Sequence, residues 1–323
     1  MPDANDSTGV DYRASRASRR QSWFGMKRHV KRFMSLRLPH AMLRATVQLV
    51  PSLRSGRLPA PARVREVTGR VGDASFVMLR PDRCEIAKEL YWGRGRRPKP
   101  QDAFALDLVA RLAREADVLL DVGAYTGVFT LACTAVNRSL RAHAFDIVPG
   151  VADALEENLA RNAVADRITV HREGIGEPDA SMRVPVGEGG SALPSFYSSR
   201  MRFDDGVLVG FRSLDSMAPL VPAGSRIVMK IDVEGTENAV FRHGQEFLGR
   251  FRPDMLCEVL DGVADPSELE ALLAPSGLRL YLVREADLLP CAHVTPHPRF
   301  RDWLYTVREP ADLAALGIAV ART

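Results

Sequence analysis

The apolar run Val118-Leu-Leu-Asp-Val122 passes directly into Gly123-Ala-Tyr-Thr-Gly127 and then into Val128-Phe-Thr-Leu-Ala132. Such a passage reads as a buried strand, a glycine turn and a helix start, the arrangement that lets a backbone approach a bound small molecule closely. An α/β fold around a nucleotide-like cofactor is therefore expected. Two cofactor classes use such turns. A dinucleotide fingerprint wants G-x-G-x-x-G, so that a pyrophosphate can sit on the helix N-terminus. Here Asp121 leads, the glycines fall at Gly123 and Gly127, and Tyr125 fills the slot of the central glycine. A leading carboxylate repels a pyrophosphate but tolerates the cationic methionine end of S-adenosylmethionine.

A second element, Ala142-His-Ala-Phe-Asp146, reads as a strand ending in an acid. A carboxylate at that place can accept hydrogen bonds from both ribose hydroxyls. Read alone, Asp146 suits a helix N-cap before Val148-Pro-Gly150 equally well. Together the two motifs favour the ribose. Ala124 and Tyr125 in the turn, Ile147 beside Asp146, and Gly174 beyond the third strand complete the expected cofactor-binding set with Asp121, Gly123, Gly127 and Asp146.

A chain of 323 residues with 46% hydrophobic content can bury a sizeable core, so one α/β domain with extensions is expected. Cys84, Cys133, Cys257 and Cys291 form no C-x-x-C pair, which points to a reduced, cytoplasmic protein rather than a disulfide framework. No run of 18 apolar residues predicts a membrane span. The charge is uneven: residues 1–60 hold twelve Lys or Arg against three Asp, a balance of +9, which leaves about −5 for the rest of a chain whose net charge is +4. Trp23, Met26, Val30 and Phe33 recur at helical spacing among Lys27, Arg28, Lys31 and Arg32. Residues 22–36 thus describe a basic amphipathic helix suited to an anionic membrane surface, or else an arm packed on its own domain. Ser18-Arg-Arg20 has the look of a twin-arginine signal, but no uninterrupted apolar segment follows it. The portion carrying the motifs is acidic and lacks a basic stripe with interleaved aromatics, so a nucleic-acid partner is not expected.

Arginine outnumbers lysine 39 to 5, and Lys230 is the only lysine after Lys99. It lies in Ile227-Val-Met-Lys-Ile-Asp-Val-Glu-Gly-Thr-Glu237, which reads as a buried strand, a turn at Gly235 and a helix from Glu237 to Phe247. Ligands of open parallel sheets bind beyond the carboxyl ends of the strands, which aims Asp232 and Glu234 at the site opened by Asp121. Glu258, near the end of the next strand, is in register with them. Three carboxylates and a lysine are costly to bury unless paired, so the group marks chemistry or a satisfied ion network. Glu237, at a helix start, is most simply a capping acid.

With these residues in view, the sequence resembles the FkbM-type S-adenosylmethionine-dependent methyltransferases. The likeness is carried by Asp121 to Gly127, Ala144-Phe-Asp146 with Leu155-Glu-Glu-Asn158, Leu214-Asp-Ser-Met217, and Lys230 to Glu237 with Glu258. Asp146 stands where the family has glutamate, and Tyr125 where it has asparagine. The shorter acid reaches less far toward a ribose, and the ring is expected beside the methionine end. The resemblance implies a doubly wound, Rossmann-like class I methyltransferase sheet whose last strand is antiparallel. Strands at Val118–Val122, Ala142–Asp146, Ile168–His171, Ile227–Ile231, Met255–Val259, Leu278–Val283 and Trp303–Val307 fit it, with helices from Val128, Ala152, Glu237 and Ser267. The expected organisation is a basic extension over residues 1–60 with a Pro-rich linker at its end, a lead-in over 61–103 and the catalytic domain over 104–323. An insertion at 172–226, including Gly189-Gly-Ser-Ala-Leu-Pro-Ser195, would cover the substrate.

The resemblance implies O-methylation of a hydroxyl on a sugar, a glycolipid or a polyketide-type product. A hydroxyl acceptor needs a base as the new bond forms. Asp232 is the leading candidate, with Lys230, Glu234 and Glu258 as further catalytic residues that place substrate or tune its charge. His293 and His297, near Cys291, offer a competing base or a loose metal cluster, and His171 a weaker one. Two other readings stay open: a magnesium-dependent O-methyltransferase with Asp232 and Glu258 as ligands, and a non-catalytic, membrane-docked cofactor-binding protein. The sequence itself assigns no metal.

Overall fold

In the computed structural model, residues 58, 60–184, 206–260 and 265–321 are described. The expected N-terminal amphipathic helix, the linker up to Arg57 and the Gly189–Ser195 segment lie outside them.

Strands β1 (Glu66–Val71) and β2 (Ala74–Leu79) form a hairpin, followed by helices α1 (Glu85–Trp92) and α2 (Pro100–Ala113). The main domain then alternates: β3 (Val118–Val122), α3 (Val128–Val136), β4 (Arg141–Phe145), α4 (Pro149–Arg161) and β5 (Ile168–His171). Three short strands follow, β6 (Gly174–Ile175), β7 (Ser181–Val184) and β8 (Val207–Arg212). The chain continues through β9 (Ile227–Ile231), α5 (Glu237–Arg242), α6 (Gln245–Phe251), β10 (Asp254–Glu258) and α7 (Pro266–Leu273). It closes with β11 (Arg279–Val283), β12 (Leu288–Cys291), β13 (Asp302–Thr306) and α8 (Pro310–Ala315).

Eight strands form one sheet in the order β12-β11-β13-β10-β9-β3-β4-β5. Pairing is parallel from β5 through β10, and β13 enters antiparallel between β10 and β11. This is the doubly wound methyltransferase sheet with its antiparallel last strand, extended at one edge by β12. Every residue of β3 and β9 is buried, as expected of central strands covered on both faces. Along β3, Leu119 packs into one core cluster with α2 and α3, while Val118, Leu120 and Val122 pack into the other with α5, α6 and α7. The chain order reverses between β3 and β9, which opens a crevice beyond their carboxyl ends.

The sequence pattern ran one helix from Glu237 to Phe247, but the chain breaks it at His243-Gly244. A Cβ on Gly244 would lie 2.6 Å from Leu214 Cδ2, so the close approach of that leucine fixes the break. The lead-in is folded against the main domain. Asn162 exchanges two 2.7 Å hydrogen bonds with the backbone of Val77, while Asn158 accepts from Leu79 N and donates to Thr126 O. Asn158 on α4 and Asn162, which caps its C-terminus one turn later, thus bind β2 to the domain, and Asn158 reaches the glycine turn. Among the described residues, no helix is long and apolar enough to cross a membrane.

Candidate active site

A cavity of about 900 Å³ lies at the switch point, bounded by the turn after β3, the end of β4, the segment after β5, the end of β9 and the start of α1. Of the residues expected there, Gly123, Ala124, Tyr125, Asp146, Ile147, Gly174, Lys230, Asp232 and Glu234 line it.

The turn is held open by backbone geometry. Gly123 has φ +78°, and a Cβ on it would stand 1.9 Å from the carbonyl oxygen of Asp232. Strands β3 and β9 can approach this closely only because residue 123 has no side chain. Gly127, at φ +88°, starts α3 from behind the cavity, against Leu155.

Asp121 corrects its sequence assignment. It is fully buried and does not line the cavity; its Oδ2 accepts from the amide (3.1 Å) and the hydroxyl (2.6 Å) of Thr130. It therefore anchors the first turn of α3 and cannot face a methionine end. Burial raises its pKa, opposed by the charge of Lys230, its register partner on β9. The strand has not yet left the sheet at Asp121, so its side chain stays between sheet and helix.

Tyr125, in a left-handed conformation at φ +50°, packs its ring on the core cluster that holds the lead-in residues, and its hydroxyl accepts from the Glu85 backbone amide. The ring joins the turn to the start of α1, and the residue lines the cavity. Burial raises its pKa. Cys84 Sγ meets Thr126 Oγ1 at 3.1 Å, a second tie between lead-in and turn.

Asp146 accepts from Tyr125 N (2.9 Å) on one oxygen and Val148 N (2.8 Å) on the other. Each oxygen retains a lone pair for a further donor. Burial pushes its pKa up to about 6 against these backbone bonds.

On the opposite side, Lys230 is 6% exposed; its Nζ donates to Gly123 O at 2.7 Å and pairs with Asp232 Oδ2 at 3.2 Å. Burial disfavours the ammonium, yet Asp232 and Asp121 outweigh it and raise its pKa. Oxygens of Asp232, Glu234 and Glu258 lie within 4.8 Å of one another. Glu258 does not line the cavity but stands behind Asp232, with Arg301 3.8 Å away. Burial and the neighbouring Asp232 raise the Glu258 carboxyl well above the usual carboxylate range, so the two acids titrate as a pair. Glu234 is raised by burial and Asp232. Glu237 caps the turn through Gly235 N, as its position suggested.

Several residues escaped the sequence reading. Asp302 pairs in register with Glu258 across β10 and β13, accepts from Gln101, and is raised to about 7 by burial and Asp232. Arg97, fixed by Glu89 (2.8 Å) and Asp102 (2.9 Å), also lines the cavity, and nothing local in its arginine-rich surroundings marks it. Glu173 lines the cavity just past β5, where the logic that found Asp146 would have found it. It pairs with Arg212 at 2.9 Å and with His171, which meets His143 at 3.0 Å and stacks on Phe145. Burial lowers both imidazoles to about 4. His293 pairs with Glu270, and His297 accepts from the amides of Arg299 and Phe300; neither lines the cavity, and Cys291 turns to Leu289 O.

The model of the methyltransferase FkbM domain matches residues 121–280. No curated protein matches the chain. Among solved structures, the FkbM methyltransferase of Methylobacillus flagellatus KT is 20% identical, over 59% of this chain and 44% of its own, with a TM-score of 0.41. The O-methyltransferase of Bacillus cereus, solved with SAH, is 12% identical over 64% of this chain and 80% of its own, with a TM-score of 0.37. Aeropyrum pernix fibrillarin, solved with natively bound S-adenosyl-L-methionine, is 14% identical over 63% and 76%, with a TM-score of 0.36. The chain thus spans less than half the length of the first of these. The cavity has the size of a small-molecule site. Asp146 keeps acceptor capacity on the cavity wall at the end of β4, and the Gly123 turn leaves room for close backbone approach, so the residues present fit S-adenosylmethionine, the cofactor of this class. Over residues 121–280, the chain carries a methyltransferase FkbM domain.

Proposed function

We propose that this chain transfers a methyl group from S-adenosylmethionine to a hydroxyl oxygen, with Asp232 as the general base. The observation that carries the reading is the placement of Asp232 on the cavity wall, at the end of β9, between Lys230 and the acids Glu234 and Glu258. When bound, the cofactor supplies a sulfonium carbon open to in-line displacement. The protein's tasks are to align the acceptor and to take its proton. Asp146 holds the ribose end. Lys230 fixes the Asp232 carboxylate from one side. Glu258, its carboxyl raised by burial and by Asp232, stands on the other side of that carboxylate. The expected acceptor is a sugar, glycolipid or polyketide-type hydroxyl, with residues 22–36 carrying the enzyme to the inner face of a membrane. Incubation with labelled S-adenosylmethionine and a lysate split into lipid, glycan and small-molecule pools tests this; label confined to base-stable ether products supports it, and label in none of the pools overturns it.

One observation favours a second reading. The oxygens of Asp232, Glu234 and Glu258 are close enough to share a divalent cation. In that case magnesium would orient the acceptor oxygen, and chelator would abolish turnover that added magnesium restores. For the metal-free reading, the expected result is activity unchanged by chelator.

The pKa of Asp146 sets a pH dependence. Its value of about 6 in the folded chain lies above the ordinary 3.8, so between these pH values the folded state binds more protons than the unfolded one. This group therefore adds stability to the ligand-free protein as pH falls through 6, and loses it as pH rises. Donor binding has the opposite sense, because a protonated carboxyl accepts fewer ribose hydrogen bonds. Affinity for S-adenosylhomocysteine, titrated from pH 7.5 to 5 by calorimetry, is expected to weaken below about 6. The D146N variant should bind weakly with a flat profile.

A further inference from the structure

Resting on the donor reading above, we propose that Lys230 anchors the carboxylate of the cofactor's amino-acid end, in addition to fixing Asp232. An ammonium has three N–H donors. Two are used, on Gly123 O at 2.7 Å and Asp232 Oδ2 at 3.2 Å, and Lys230 itself lines the cavity, with its Nζ 5.6 Å from the centre of the Phe129 ring. The third donor is available to a ligand oxygen.

Position and elimination both point to this role. Asp146 fixes the ribose at one end of the cavity. The remainder of the donor runs from there toward Asp232, where transfer takes place, and Lys230 sits between Asp232 and the Gly123 turn. Among the described lining residues, three are cationic: Arg97, Arg183 and Lys230. Arg97 is held by two carboxylates, Glu89 and Asp102. Arg183 lies on β7, exposed, and donates to Gly206 O. Lys230 alone of the three combines burial, a raised pKa and a free donor at the transfer end. Asp121, which the sequence aimed at the methionine end, instead lies behind Lys230 and supports its charge. The recognition at this end is therefore by a cation for a carboxylate.

The test compares two ligands that differ in this end. S-adenosylhomocysteine carries the amino-acid group, and 5′-methylthioadenosine keeps adenine, ribose and thioether but lacks it. Both are titrated calorimetrically into the full chain, wild type and K230M. The expected result is a loss of about 10- to 100-fold in S-adenosylhomocysteine affinity, with 5′-methylthioadenosine within about twofold of wild type. Equal losses for both ligands would show that Lys230 only shapes the turn, and an unchanged S-adenosylhomocysteine affinity would also overturn the proposal. Should K230M melt out, K230Q, whose neutral amide can still donate to Gly123 O, is held to the same pair of outcomes. A wild-type chain that binds neither ligand sinks the donor reading itself, a result distinct from selective failure of the variant comparison.

Discussion

Replacing Asp232 with asparagine is expected to lower turnover by about 10²- to 10⁴-fold, the usual contribution of a positioned general base. The amide keeps an oxygen that can accept from Lys230 Nζ, which is 3.2 Å from Asp232 Oδ2 in the native chain. The donor turn should therefore stay intact, and S-adenosylhomocysteine should bind the variant with near-native affinity. Single-turnover methyl transfer with the acceptor pool that labels in the wild type gives the first quantity, and calorimetry the second. An active D232N variant would remove Asp232 as base and shift attention to Glu234, which shares its cavity wall. Loss of both turnover and binding would mean that Asp232 serves the donor site, not the acceptor.

Gly123→Ala is expected to cost both donor binding and stability. The added Cβ would meet the Asp232 carbonyl oxygen at 1.9 Å and its carbonyl carbon at 2.9 Å, and both are backbone atoms of a central strand's end. Neither can swing away as a side-chain tip can. The left-handed φ of +78° adds about 1–2 kcal/mol for any residue with a Cβ. Relief requires β3 and β9 to separate at the cavity mouth, which moves Asp232 and breaks the geometry of Lys230 with Gly123 O. A drop of several degrees in melting temperature and a loss of S-adenosylhomocysteine affinity of at least about tenfold are expected, on the scale of 1.4 kcal/mol per decade. Gly127→Ala should be milder in its clash, since its Cβ would meet Leu155 Cδ1, a side-chain atom with room to adjust.

Much of the central sheet was legible because its strands advertise themselves. Val118–Val122, Ile168–His171 and Ile227–Ile231 are apolar, β-branched runs bounded by turns, and the structure keeps those bounds. The split at Gly244 was not legible, because it depends on Leu214, thirty residues away in the chain. The hairpin of β1 and β2 escaped for a similar reason: Asn158 on α4 and Asn162 at its C-cap hold β2 in place. The site shows the same division. Acids and lysine at strand ends were found from the rule that ligands bind at the carboxyl edge of such sheets. Arg97 and Asp302 were missed, since they reach the site from outside the motif-bearing strands.

The sequence by itself determined the sheet, its switch point and the residue types at the carboxyl ends of β3, β4, β9 and β10, because strand periodicity and glycine turns are local properties of the chain. Tertiary structure decided which of those side chains face the cavity. Asp121 and Lys230 are register partners on neighbouring strands, but the acid is spent on Thr130 at the start of α3 while the lysine reaches round the Gly123 turn to Asp232. The short aspartate side chain, its oxygens three bonds from Cα, stays in the layer between sheet and helix, whereas the lysine stem, five bonds from Cα to Nζ, carries its charge past the strand end. That difference in reach puts Lys230, and not Asp121, on the cavity wall.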